Sequence, residues 1–400
     1  MRRLEQSIGT TNDVQRIDAV TQHRTTRHRD GDAAHVPKDE LPTTCLEERR
    51  STPRGTNHKL QQQFESLVGA DDIRWSVRYR LIDRLGSGSQ GVVFLAERMG
   101  AHNISLPVAL KVFSPVNHAD SRAYRRDMER VARVAMQLAL IQQDHLLDMH
   151  NVMQCRGISV QVMEWVDGFD LRYLLQPAAL LSMQSHLSPE RWAHLTDVII
   201  TDGPTHSRLK PGVAIAVLRE CLAALAAMHR NGIVHADIKP PNIMLKRTGN
   251  TKLIDFGYAF EIEDKAAPRA CTPRYAAIEV LKGDICSPVS DLASLGYCLV
   301  ELLSGRTLFA GLERFPDLIQ AKRELPDRLP ELLPADIARD DRVLTLIRGL
   351  IAPDPADRFP NAEAADFLDH GAANFQRELV KGDLSSEYEN DIRLWLQEVD

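Results

Sequence analysis

Four short runs of strand composition mark the first folded part of the chain: Tyr79-Arg80-Leu81-Ile82-Asp83-Arg84-Leu85, Val92-Val93-Phe94-Leu95-Ala96, Val108-Ala109-Leu110-Lys111 and Ile158-Ser159-Val160-Gln161-Val162. Between the third and fourth the period changes. Met128, Val131, Ala135 and Leu138 recur at helical spacing, which predicts a helix from Tyr124 to Leu138. Ser188-Pro189-Glu190 opens another, with serine as cap and proline in the first turn, and Asp202-Gly203-Pro204 closes it. The most apolar segment, Val213 to Met228, is interrupted by Arg219-Glu220 and reads as too short to span a bilayer. A short helix is expected from His58 to Val68, and a last one ending near Leu394-Trp395-Leu396.

Composition narrows the class. The chain has 400 residues, enough for more than one domain, and its hydrophobic fraction of 44% can fill a sizeable core. A formal net charge of −6 gives no sign of general affinity for nucleic acid. The six cysteines are scattered without a Cys-x-x-Cys pair, so neither a zinc site nor a disulfide framework is indicated. Reduced thiols and a cytoplasmic location are the simplest expectation. Residues 1–74 differ in kind, being rich in Arg, Thr, Asp and Gln with few large apolar side chains. Such a stretch buries too little surface to offset chain entropy, so it is expected to be mostly disordered.

The chemistry is concentrated in His235-Ala236-Asp237-Ile238-Lys239-Pro240-Pro241-Asn242 and, further on, Asp255-Phe256-Gly257. That window supplies a carboxylate to take a proton, an ammonium to hold phosphate, and two oxygen ligands for a hard cation. Phosphoryl transfer needs those parts, because its catalysis is mostly positioning and charge neutralisation. Upstream, Gly86-Ser87-Gly88-Ser89-Gln90-Gly91 lies between two strand-like runs, whereas a dinucleotide-binding glycine pattern would open a helix. Val108-Ala109-Leu110-Lys111 follows at the end of an apolar strand.

In this order the motifs resemble those of the eukaryotic-like serine/threonine protein kinases, over about residues 79–370. The resemblance implies an α+β, two-lobed fold, with a small antiparallel sheet and one helix in an N-lobe over 75–163, a hinge at 164–166 and a mainly helical C-lobe over 167–371. Residues 176–211 would be an insertion in the C-lobe, and 372–400 a helical extension. It further implies ATP and Mg2+ as cofactors and a protein with a Ser/Thr acceptor as partner. Neither a nucleic-acid partner nor a membrane span is implied, and the oligomeric state is open.

Carried residue by residue, the resemblance makes Gly86, Gly88 and Gly91 the cover over the phosphates, and Val93 and Ala109 part of the nucleotide cleft. Lys111 would contact the α and β phosphates and pair with a glutamate on the following helix; Glu129 is the candidate and Asp127 the alternative. Met163 would be the gatekeeper, with Glu164 to Val166 meeting adenine through the backbone. Asp170 would bind the ribose or cap the next helix. Asp237 would be the base, Lys239 would neutralise the transferred phosphoryl group, and Asn242 and Asp255 would hold Mg2+. His235 would be structural, stacked near Phe256.

The chain also departs from the pattern. Four positions after Glu129 the family has an apolar residue, and here stands Arg133. Ala236 replaces the arginine that holds an activation-loop phosphate. Between Asp255 and Glu279, apart from Tyr258 and Tyr275, the only hydroxyl is Thr272, at the position where family members contact the catalytic aspartate. The expectation is activity without activation-loop phosphorylation, with Glu261, Glu263 and Asp264 as fixed negative charge. Ala276-Ala277-Ile278-Glu279 resembles Ala-Pro-Glu with isoleucine for proline; Glu279 is expected to pair with Arg358, and Asp291 to brace the catalytic-loop backbone. A small-molecule phosphotransferase and an ATP-binding pseudokinase scaffold are the alternatives.

Overall fold

The computed structural model describes residues 44–45, 58–74, 76–264, 270–380 and 388–399. Most of the N-terminal stretch expected to be disordered lies outside the described residues. Within it, the anticipated short helix is present as α1 (His58–Val68).

Six strands form the N-terminal sheet: β1 (Asp72–Arg74), β2 (Arg78–Gly88), β3 (Gly91–Met99), β4 (Ser105–Phe113), β5 (Met149–Cys155) and β6 (Ile158–Glu164). Their order is β1-β2-β3-β4-β6-β5, and every neighbouring pair is antiparallel. The sheet thus begins before the expected boundary at residue 75. The glycine sequence forms the β2–β3 hairpin, where Gly88 opposes Gly91. Gly91 has φ +151°, and a Cβ there would lie 2.0 Å from the Val112 carbonyl oxygen, so only glycine lets β3 approach β4 at this point.

One helix was expected on this sheet, and two are found. Helix α2 (Ser121–Leu138), capped by the Asp120 carboxylate at Ala123 N–H, buries Tyr124, Met128 and Val131 against it. Helix α1 packs Leu67, Leu60 and Phe64 into the same core.

The C-terminal part is mainly helical. Helix α5 (Pro211–Arg230) carries the apolar Val213–Met228 run and is twenty residues long, longer than the sequence suggests. It is the one helix among the described residues long and apolar enough to cross a membrane, yet 72% of its most apolar window is buried inside this structure. It packs on α6 (Pro288–Ser304), which is buried from Ser290 to its end. Between the hinge and α5 lie α3 (Pro177–His186) and α4 (Pro189–Val198). Ser188 caps α4 and Pro189 stands in its first turn, as expected. Its end differs: α4 stops at Val198, and Asp202-Gly203-Pro204 lies instead between the paired strands Ile200–Thr201 and Arg208–Leu209.

The last helix, α9 (Tyr388–Gln397), docks with Trp395 and Leu396 fully buried. Its polar partners come from the 176–211 region and beyond: His194 meets Asp391 at 3.3 Å, and Arg247 donates to the Leu396 carbonyl at 2.7 Å. Cys155, Cys221, Cys286 and Cys298 are free thiols, and all but Cys286 are buried.

Candidate active site

The site is built on a short loop that regular structure could not supply. After the strand Ile233–Val234 the backbone turns through Ala236 at φ +64°, and the Asp291 carboxylate of α6 fixes the turn. Its two oxygens accept from the His235 and Ala236 N–H groups at 2.9 Å each, the bracing role expected from its position. His235 is fully buried and meets the Phe256 ring edge-on, with centroids 5.3 Å apart. Burial holds its imidazole below the ordinary histidine pKa, in keeping with a structural residue rather than a proton carrier.

Beyond this turn, the side chains converge on Asp237. Thr272 Oγ1 donates to Asp237 Oδ1 at 2.7 Å, and Lys239 Nζ lies 2.9 Å from Oδ2 and 3.1 Å from Thr272 Oγ1. Asn242 Nδ2 donates to the Asp237 carbonyl at 2.8 Å and to Oδ2 at 3.2 Å. The carboxylate is thus only 3% exposed and is held in one orientation by three donors. The amide nitrogen of Asn242 is spent on Asp237, which leaves its amide oxygen as the donor atom available to a cation.

Asp255 supplies a second hard oxygen site. Its φ is +64°, a left-handed conformation that aspartate tolerates better than most residues. Burial opposes the charge on its carboxyl, but the Lys111 ammonium, with Lys239 and the Gly257 N–H, outweighs it and holds the pKa below the ordinary range. A carboxylate with a neighbouring amide oxygen suits a hard divalent cation.

Lys111 bonds to Asp255 and, at 2.5 Å, to Gln90 Oε1 in the glycine hairpin. It does not bond to Glu129. That glutamate is exposed on α2, and the expectation that it pairs with Lys111 is corrected here. Asp127, the alternative, lies half-buried but bonds to His118 at 3.1 Å and to Arg130 at 2.7 Å. An aspartate is one methylene shorter than a glutamate, and its neighbours take it first.

Other expected residues fall together. Val93, Ala109, Met163 and Val166 join one apolar cluster with Leu171, Leu245, Leu253 and Phe256, so the strand, the hinge and the loop below share a lining. The Glu164 side chain accepts from Asp148 N–H at 2.8 Å and pairs with buried Lys252, which ties the hinge to strand Thr251–Leu253. Asp170 accepts from Tyr173 N–H at 3.0 Å and so caps the helix Leu171–Leu174. Behind the activation segment, Arg358 grips both oxygens of Glu279 at 2.7 Å. Within that segment, Asp264 lies 3.7 Å from Arg133 of α2, and Glu261 bonds to Gln137. The paired residues Thr44–Cys45 run antiparallel to Ala270–Cys271, just before Thr272.

Two residues of this neighbourhood were missed in the sequence. Gln90 stands inside the glycine motif, where only the glycines were assigned a task. Arg130 stands three positions after Asp127, on the flank that the apolar stripe favours over that of Glu129, but the sequence shows no partner for it there.

Comparison with known proteins agrees with this arrangement. Residues 79–370 match the protein kinase domain family. The chain is 29% identical over 306 residues to the serine/threonine-protein kinase PknD of Mycobacterium tuberculosis, covering 74% of this chain and 39% of that one. It is 31% identical over 260 residues to PknB of Mycobacterium leprae, covering 63% and 36%. It is 27% identical over 296 residues to PrkC of Bacillus subtilis, covering 72% and 40%. The chain therefore spans about two fifths of the length of these relatives. The crystal structure of the Mycobacterium tuberculosis PknI kinase domain superposes with a TM-score of 0.50 at 23% identity, covering 77% of this chain and 98% of that domain, a likeness of fold. With the family matched over most of its length and the fold shared, the chain belongs to the protein kinase family, as a eukaryotic-like serine/threonine kinase domain.

Proposed function

We propose that this protein transfers the γ-phosphoryl group of Mg-ATP to serine and threonine hydroxyls of protein substrates, without phosphorylation of its activation segment. The observation that carries this reading is the Asp237–Lys239–Thr272 triangle, with all three contacts between 2.7 and 3.1 Å. Asp237 orients the acceptor hydroxyl and takes its proton, while Lys239 neutralises charge on the transferred group. Asn242, through its amide oxygen, and Asp255 hold Mg2+, which neutralises charge on the nucleotide phosphates when bound. Lys111 turns to the phosphates, and Met163, Val166, Ala109 and Val93 enclose the base. The Glu279–Arg358 pair, which anchors the segment carrying Thr272, favours a protein substrate over a small-molecule acceptor.

The same reading accounts for Ala236. Arg133 and Gln137 already meet Asp264 and Glu261, so fixed acids stand where a phosphate would otherwise join the segment to α2. The deciding experiment follows labelled phosphate from Mg-ATP onto a mixed protein substrate and compares the wild type with Asp237→Asn. Transfer onto Ser/Thr that falls roughly 10²–10⁴-fold in the variant is expected. A folded, nucleotide-binding wild type that phosphorylates no protein would overturn it.

A further inference from the structure

Arg130 is an arginine buried to 6% exposure, and none of the chemistry above employs it. Its guanidinium is held by Asp127, one turn earlier, through Nε at 3.1 Å and Nη2 at 2.7 Å. From there it reaches across to the loop that carries Asp255. Nη2 donates to the Gly257 carbonyl at 2.9 Å, and Nη1 donates to the Ala259 carbonyl.

That loop has reason to need an outside hold. Asp255 sits in a left-handed conformation, which costs energy at any residue but glycine. On its other side is Gln90: a Cβ on Gly257 would lie 1.9 Å from Gln90 Oε1, so the loop is pressed between the glycine hairpin and α2. Arg130 is the group that reaches it from α2. A planar, forked cation can serve two carbonyls and a carboxylate together, which a lysine ammonium cannot do in the same geometry.

We propose that Arg130, oriented by Asp127, is a positioning residue that couples helix α2 to the Asp255 loop and so sets the metal-binding carboxylate in place. The inference rests on the phosphotransfer reading above. Here the position of α2 is transmitted through an arginine on the backbone carbonyls after Asp255. It does not pass through an acid of α2 paired with Lys111.

The test is calorimetric titration with ADP, with and without Mg2+, of the full chain as wild type, Arg130→Lys and Asp127→Asn. In the wild type, Mg2+ should tighten ADP binding. In Arg130→Lys that gain should shrink by roughly 10–100-fold in metal affinity, the usual range for losing a group that orients a ligand. Metal-free ADP affinity should stay within about twofold, a difference well under 1 kcal/mol. Asp127→Asn should move the same way by less, and answers the question if Arg130→Lys does not fold. An unchanged Mg2+ gain in both variants, with only a lower melting temperature, overturns the proposal and leaves the kinase reading intact. A folded wild type that binds no nucleotide under either condition removes both.

Discussion

Thr272 Oγ1 donates a 2.7 Å hydrogen bond to Asp237 Oδ1, so the activation segment is fastened to the carboxylate proposed as the base. Position of the segment and orientation of the base are therefore one variable. Any substrate hydroxyl arriving at Asp237 meets an oxygen already aligned by a neighbour.

Replacing that neighbour has a calculable effect. A hydrogen bond to a charged group contributes about 1.5–3 kcal/mol, which corresponds to roughly a ten- to hundredfold rate difference. Thr272→Ala is expected to lower kcat by that amount and leave KM for ATP nearly unchanged. Thr272→Ser should recover most of the loss. Steady-state kinetics on a peptide acceptor checks both.

The scaffold behind the segment should fail differently. The Arg358 side chain is fully buried and that of Glu279 is 13% exposed, and breaking a buried pair costs about 3–5 kcal/mol because one charge is left uncompensated. Arg358→Ala should therefore lower the denaturant midpoint steeply. Burial pushes the Glu279 carboxyl up, but Arg358 and Ser290 outweigh it and hold its pKa below the ordinary glutamate range. A carboxylate with a depressed folded pKa stabilises fully above its unfolded value of about 4.3. That stabilisation is lost as pH falls through the lower folded value. Acid unfolding of the wild type should thus show a component that Arg358→Ala lacks.

Activity should not depend on a phosphate in the activation segment. Enzyme treated with a broad phosphatase is expected to keep its rate. Asp264→Asn, which removes the acid that Arg133 meets, should slow it by no more than roughly fivefold, the scale of an exposed ion pair. Full loss on phosphatase treatment, with recovery on phosphorylation within residues 255–279, would contradict this, and a rate assay with mass mapping reads both.

Trp395 gives a prediction at the far end of the chain. It is fully buried, and truncating such a ring costs about 3–5 kcal/mol. Trp395→Ala should lower the melting temperature and release α9 from α4, which proteolysis near residue 388 would report.

The catalytic loop was legible in the sequence because its chemistry demands fixed residue types at fixed spacing. Asp237, Lys239, Asn242 and Thr272 meet as their order implies, and Glu279, Arg358 and Asp291 brace them as expected. Helix α2 was not legible in the same way. Its stripe of Met128, Val131, Ala135 and Leu138 determines which line of the helix is buried, and each residue turns about 100° from the last. Val131, Ala135 and Leu138 all lie to the Asp127 side of Met128 by that turn, so the stripe as a whole favours Asp127 over Glu129, and what it does not show is which partners Asp127 takes. Those partners are His118 and Arg130. The hinge acid Glu164 was harder still, because its partner Lys252 lies 88 positions away.

Helix α9 has a consequence for synthesis. Ile392, Trp395 and Leu396 belong to the same core as α5 and α6, whose residues leave the ribosome long before them. Domains fold as units while the chain emerges, and exposed apolar surface invites aggregation in the interval. The nascent helical lobe must hold part of its interior open until residue 396 is free, so for that time it is a natural client for a chaperone.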